Sequence, residues 1–252
     1  MDAAGGSPAP EDMTDPEYWK DAMFRAAELC EQRWDAVVVD EAQDLQEEAW
    51  LLVQELADRR RLWALHDPGQ SFWADRRPPA DLFSTTFRLP RGQRCPDGVE
   101  ALANRFAGAP ADENVLAAAK AAGTIGYVAA PSATSVADKV GEEIDRLLSS
   151  GLAPSDIGVV SLRGQTATDA IFARDRIGRH AFVAADHEDM EERLVADSFL
   201  RWKGLERPAI VVTDLPEGEL SQLGIRMYVA LTRALVCARL VGTKEQLARF
   251  PS

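Results

Sequence analysis

The sequence predicts an α/β protein whose parallel strands are covered by helices, and three observations predict it. Short runs of small and β-branched apolar residues recur, such as Ala36-Val37-Val38-Val39 and Ala209-Ile210-Val211-Val212-Thr213. Near-continuous apolar strands of this kind suit sheets buried on both faces. Between such runs lie stretches of helical period, as in 134–149, where Val136, Val140, Ile144, Leu147 and Leu148 share a face. Strands alternating with helices imply a parallel, helix-covered sheet. The chain of 252 residues is 46% apolar and 27% charged, enough for one or two domains with a core.

The elements follow in order. Residues 1–15 are rich in Gly, Pro, Ala and acids, and read as a disordered tail. A helix is expected over 16–33, with Pro16 near its start. A buried strand is expected at about 35–40, then a helix over 46–58 with Trp50, Leu51, Val53 and Leu56 as its apolar face. A second short strand covers 62–65. The Arg- and Pro-rich stretch 74–96 reads as a connecting loop, followed by a helix at about 97–107. The second half alternates: strand 124–128, helix 134–149, strand 157–162, helix 166–176, and short strands 181–184 and 194–199. Strand 209–213, helix 221–234 and strand 238–242 complete the pattern.

Composition removes several classes of function. Net charge is −13, which gives no support to a general nucleic-acid coat, because phosphate binding rests on Lys and Arg. No apolar run reaches the length of a membrane span, and the N-terminus lacks the pattern of a secretory signal. Cys30, Cys95 and Cys237 are scattered and form no Cys-x-x-Cys, so neither disulfides nor a zinc site is expected and a reducing cytoplasm is the default. His66, His180 and His187 have no metal-ligand spacing.

Two clusters carry chemistry. Asp40-Glu41-Ala42-Gln43-Asp44 closes the first strand, and the carboxyl end of a parallel strand is where α/β folds place ligands. An Asp there can hold Mg²⁺ through oxygen, and the adjacent Glu can take a proton from an attacking water. Asp67-Pro68-Gly69-Gln70-Ser71-Phe72-Trp73 closes the second strand. A Gln so placed can orient a water at a γ-phosphate, and Phe72 and Trp73 offer faces for stacking on bases.

These clusters resemble motifs II and III of superfamily 1 DNA helicases of the UvrD/Rep type. The later motifs follow in the family's order. Thr86-Phe87-Arg88 is similar to motif IV, and Ser198-Phe199-Leu200-Arg201-Trp202-Lys203-Gly204-Leu205-Glu206 to motif V. Tyr228-Val229-Ala230-Leu231-Thr232-Arg233-Ala234 is similar to motif VI. The resemblance covers roughly residues 33–242. It implies RecA-like sheets of the P-loop NTPase type: a partial first RecA-like domain over 16–84, with the Walker B acids and motif III, and a second over 85–252.

The resemblance also implies roles. Asp40 would bind Mg²⁺, Glu41 would activate water, and Gln70 would sense the γ-phosphate of ATP. Phe87 would stack on adenine. Arg88 and Arg233 would reach the γ-phosphate as arginine fingers, work suited to a planar, always charged guanidinium. Gly204 and Glu206 belong to the nucleotide-binding set, Glu206 through the ribose. Trp73, Ser198 and Phe199 would face single-stranded DNA. The activity implied is ATP-dependent 3′-to-5′ movement on DNA.

There are departures from the family pattern. His66 stands where Gly is usual, and Leu200 where His is common. The stretch between Arg88 and Ser198 has room for the second RecA-like domain but little for a large inserted subdomain. No G-x-x-x-x-G-K-[ST] loop occurs in the chain, so the β- and γ-phosphates lack their usual amide cradle and lysine. The expected function is therefore a portion of an ATP-dependent helicase or translocase, inactive alone, its P-loop coming from another chain or an upstream segment. The alternative is a helicase-derived module that binds nucleotide, DNA or a protein partner without hydrolysis.

Overall fold

The computed structural model describes residues 16–31, 34–57, 61–89, 92–216 and 222–249. The tail expected over 1–15 lies outside them, as do residues 32–33, 58 and 221 of three expected helices. The chain divides between Arg88 and Leu89 into two compact units. Both are α/β, with parallel strands and helices packed on them. No helix among the described residues is long and apolar enough to cross a membrane.

The first unit contains α1 (Pro16–Leu29), β1 (Ala36–Val39), α2 (Glu47–Ala57) and β2 (Arg61–Ala64). The β-branched run of β1 favours an extended backbone, and it pairs in parallel with β2, Val37 opposite Leu62 and Val38 opposite Trp63. Helix α2 starts with Glu47 and Glu48, acids that suit a positive helix N-terminus. Lys20 on α1 pairs with Glu48 at 3.5 Å. The core is Val39, Ala42 and Trp50, lined by Val37, Leu45, Val53, Leu62 and Phe83. Trp50 and Phe83 meet edge to face at 5.9 Å.

The expected buried character of β1 is corrected here. Strand alternation sends Val37, Val39, Leu62 and Ala64 to the Trp50 side and turns Val38 and Trp63 to the other. Val38 is 62% exposed and Trp63 55%. The sheet has two strands among the described residues, and those residues leave its second face largely open.

The second unit is built on a five-stranded parallel sheet in the order β3-β7-β6-β4-β5. The strands are β3 (Ile125–Ala130), β4 (Ile157–Ser161), β5 (Val195–Ser198), β6 (Arg207–Thr213) and β7 (Ala234–Thr243). Its helices are α3 (Asp97–Phe106), α4 (Glu113–Ala121), α5 (Val136–Ser149), α6 (Leu223–Leu231) and α7 (Lys244–Ala248). Val140, Ile144 and Leu147 of α5 pack on Ile157, Val159, Ala209 and Val211. Residues of opposite parity, Val160, Ile210, Val212 and Leu240, are buried as well. Both faces of this sheet are therefore covered, as a parallel sheet requires.

Several expectations change. The helix expected over 166–176 is absent, and only a short 3₁₀ turn, Ile171–Ala173, forms. The Ile171 amide donates instead to the Asp214 carboxylate at 2.9 Å, a long-range bond that competes with a helical one. The strand expected at 181–184 is reduced to a single bridge between Val183 and Val195. Two helices were not anticipated. Helix α4 starts at a capping Asp112, which accepts from Asn114 N at 2.9 Å. Helix α7 is capped reciprocally by Thr243 and Gln246. Helix α6 ends at Leu231; the Arg233 amide donates to Ala230 O at 3.4 Å while its guanidinium takes Val229 O.

Candidate functional site

In the first unit the two strand ends are joined by a polar network. Beyond the strands the ladder continues for one step: Leu65 N donates to Val39 O at 2.8 Å, and Ala42 N to Leu65 O at 2.9 Å. This holds residues 40–44 beside 66–70. Asp40 is exposed, and its Oδ1 accepts from Glu41 N at 2.9 Å. Glu41 adopts a left-handed backbone with φ +48°, uncommon for a residue with a side chain. Local strain of this kind persists only where the surroundings hold it.

The Glu41 carbonyl accepts from Asp44 N at 2.9 Å, and the Glu41 side chain meets Gln43. Gln43 is only 2% exposed. Its Nε2 donates to Glu41 Oε2, and its Oε1 accepts from Asp67 N at 3.1 Å. Asp67 in turn caps the turn Pro68–Gln70. Its Oδ1 accepts from Gly69 N and its Oδ2 from Gln70 Nε2, each at 2.9 Å. Glu41 and Gln70 are thus linked through Gln43 and Asp67. Trp73 follows the same turn, meets Phe72 edge to face at 5.4 Å, and carries the Arg76 guanidinium 4.2 Å from its ring centre. Arg76 also donates to Asp44 O at 3.2 Å, which ties the aromatic pair to the acidic strand end.

Phe87 is 82% exposed, and Arg88 beside it is exposed too. An open aromatic face suits stacking on a planar base.

In the second unit, the expected site residues are knitted into the fold. Gly204 takes φ +78° in the turn before Glu206, a conformation glycine adopts without strain. Glu206 is engaged by Arg94 Nε at 2.6 Å. Arg233 is fully buried. Its guanidinium donates to Val229 O at 3.1 Å, to Leu205 O at 3.4 Å and to Thr232 Oγ1 at 3.0 Å, so the segments 198–206 and 228–234 are stitched together. Ser198 and Phe199 are fully buried at the end of β5. Arg226 lies 4.7 Å from the Phe199 ring centre. In this conformation neither side chain presents a face to a strand of DNA.

The roles of Gln43 and Asp67 do not show in the sequence motifs that contain them. A buried glutamine two residues after an acid at a strand end was the available signal. Arg94 and the pair Ser161–Asp214 were also missed; the acid directly after the strand 209–213 was the signal for the latter.

The residues fit a Mg²⁺–nucleoside triphosphate in part. Mg²⁺ takes one or two carboxylates and completes its shell with water and phosphate oxygens, which the exposed Asp40 can satisfy. Among the described residues, no group of three or more His, Cys, Asp or Glu side chains is placed to hold a metal. A site shared with phosphate oxygens would not need one. The phosphate cradle is the part that does not fit, because the chain contains no Gly-Lys-[Ser/Thr] loop. No protein-family model matches this chain, and no curated protein matches it.

Proposed function

We propose that this chain is a portion of an ATP-dependent DNA helicase or translocase of the UvrD/Rep type, with RecA-like units. The observation that supports it most is the pairing of two strand ends: Asp40 and Glu41 at β1 lie beside the Asp67–Gln70 turn at β2, joined through Gln43. An acid pair next to a polar glutamine is the equipment for metal-assisted phosphoryl transfer to water.

Mg²⁺ bound with ATP would neutralise phosphate charge. Asp40 would hold that ion. Glu41 would accept the proton of the attacking water, its carboxylate oriented by the Gln43 amide. Gln70, its Nε2 fixed on Asp67, would orient the water. Phe87 would stack on the adenine ring, and Arg88 would bring a fixed positive charge. Glu206 would take the ribose once it leaves Arg94, an exposed ion pair of modest strength. Trp73 would serve as a stacking platform for single-stranded DNA. The P-loop would come from another chain or segment.

A second reading has its own observation. Arg233, Ser198 and Phe199 are buried, and the Arg233 guanidinium is spent on carbonyls and a hydroxyl of its own unit. A helicase-derived module that binds nucleotide, DNA or a protein without turnover would look like this.

Hydrolysis of Mg²⁺-ATP by the purified chain, with and without single-stranded DNA and beside Glu41→Gln, tests the first reading. It expects background turnover from the chain alone and DNA-stimulated turnover, abolished by Glu41→Gln, once a P-loop-bearing segment is added. Turnover unchanged by Glu41→Gln would remove it.

A further inference from the structure

We infer that Gln43 is a positioning residue that sets the Glu41 carboxylate and the Asp67–Gln70 turn in a single geometry. The inference rests on the proposed role of Glu41 as the water-activating group. Three observations carry it. First, Gln43 is nearly sealed from solvent, where an amide left without partners is costly. Second, its two ends face opposite ways: the Nε2 donor serves Glu41 Oε2, and the Oε1 acceptor serves Asp67 N, 24 positions away in sequence. Third, the backbone bonds between the two strand ends join Val39 and Ala42 to Leu65, and the Gln43 side chain links the groups beyond them. Glu41 sits in a left-handed backbone at the end of a short strand, and Asp67 begins a turn that strand pairing does not reach.

A carboxamide suits this task. It donates at one end and accepts at the other, whereas a carboxylate offers acceptors alone. The Asp67 amide and the Asp67 carboxylate share one residue, and the carboxylate holds Gln70 Nε2. The Glu41 carboxylate is therefore connected through Gln43 to the turn that carries Gln70 and, three residues on, Trp73. The base and the aromatic platform are linked without touching.

The test uses the full chain and needs no nucleotide. Amide hydrogen exchange is read at Asp67, with Ala42 and Leu65 as controls whose amides bond to backbone carbonyls of the same strand ends. In Gln43→Ala the Asp67 amide is expected to exchange about tenfold faster, the scale of one hydrogen bond, while Ala42 and Leu65 keep their rates. Gln43→Glu separates the two ends of the side chain. It keeps an acceptor for Asp67 and puts a like charge against Glu41. The Asp67 amide should stay protected while the Glu41 side-chain carboxyl ¹³C resonance moves.

Unchanged Asp67 exchange in Gln43→Ala would overturn the inference, and so would an unmoved Glu41 resonance in Gln43→Glu. If Ala42 and Leu65 also exchange faster in Gln43→Ala, the Gln43→Glu readouts decide. These outcomes are independent of ATP. Loss of nucleotide binding with the exchange pattern intact removes the nucleotide reading and leaves the coupling standing; the converse result does the opposite.

Discussion

The Asp214 carboxylate accepts the Ser161 hydroxyl at 2.5 Å and so joins the carboxyl ends of β6 and β4. The same Oδ2 takes the Ile171 amide at 2.9 Å, which pulls the 3₁₀ turn down onto the strand ends. Asp214 itself sits in the left-handed region, φ +55°. Burial is the strongest influence on it and raises its carboxyl above the usual range. The Ile171 amide, the Ser161 hydroxyl and nearby Arg163 act in the opposite direction, and Asp169 adds to the rise.

A pH dependence follows from that direction. A carboxyl whose folded value lies above its unfolded value of about 4 stabilises the fold fully below that value. The contribution is lost as pH rises through the folded value. Asp214→Asn should therefore gain stability relative to wild type as pH increases from below 4 towards neutrality, measured by urea unfolding across a pH series. A difference between the two proteins that does not vary with pH would refute this.

Gly158 has no room for a methyl group. A Cβ there would come within 2.2 Å of the Trp202 ring, which is buried and donates to Val159 O at 3.2 Å. Gly158→Ala should cost about 1–3 kcal/mol, the usual penalty of overpacking. Gly164, with nothing within 4 Å of a Cβ, serves as the control. Chemical denaturation of both variants checks this, and equal midpoints would refute it.

Val38 and Trp63 should matter little to the stability of the fold. They are registered partners on the open face of the first sheet, each more exposed than buried, so replacing both by Thr removes far less buried area than truncating a core aromatic. The expected loss is about 1 kcal/mol per site, together with a fall in the binding of a hydrophobic dye. A loss of about 3–5 kcal/mol, the size seen when a core aromatic is truncated, would show that this face is covered in solution.

Phe87→Ala should leave the unfolding midpoint unchanged, because the ring is exposed. It should weaken binding of ATP by about tenfold or more, the scale of one aromatic–base stack. Titration with a fluorescent ATP analogue measures this, and unaltered affinity would remove Phe87 from the site.

Much of the fold was legible because local pattern and tertiary context agree. The valines of β1, the acids after it and the turn at Pro68 all punctuate the chain where the structure does. Helix α4 was equally legible in the Asp112 cap and the alanines after it, although it was passed over. Other features were hidden for physical reasons. The 166–176 segment has helical apolar spacing, but its Ile171 amide is claimed by Asp214, 43 positions away. The exposure of Val38 depends on whether another layer packs over its face, which an apolar run does not encode. Arg233 reads as a phosphate ligand from its motif, yet its guanidinium is turned inward to the end of α6. Gln43 was visible as a letter of the motif, but its work depends on Asp67, which only the pairing of β1 with β2 brings near.

The account turns on whether the end of β1 handles a metal-bound nucleotide, and one titration addresses that directly. A fluorescent ATP analogue is added to the chain together with a P-loop-bearing segment, with and without Mg²⁺, for wild type and Asp40→Ala. The account predicts that Mg²⁺ tightens binding to wild type and that Asp40→Ala abolishes this gain. Binding that ignores both Mg²⁺ and Asp40, or no binding at all, would contradict it.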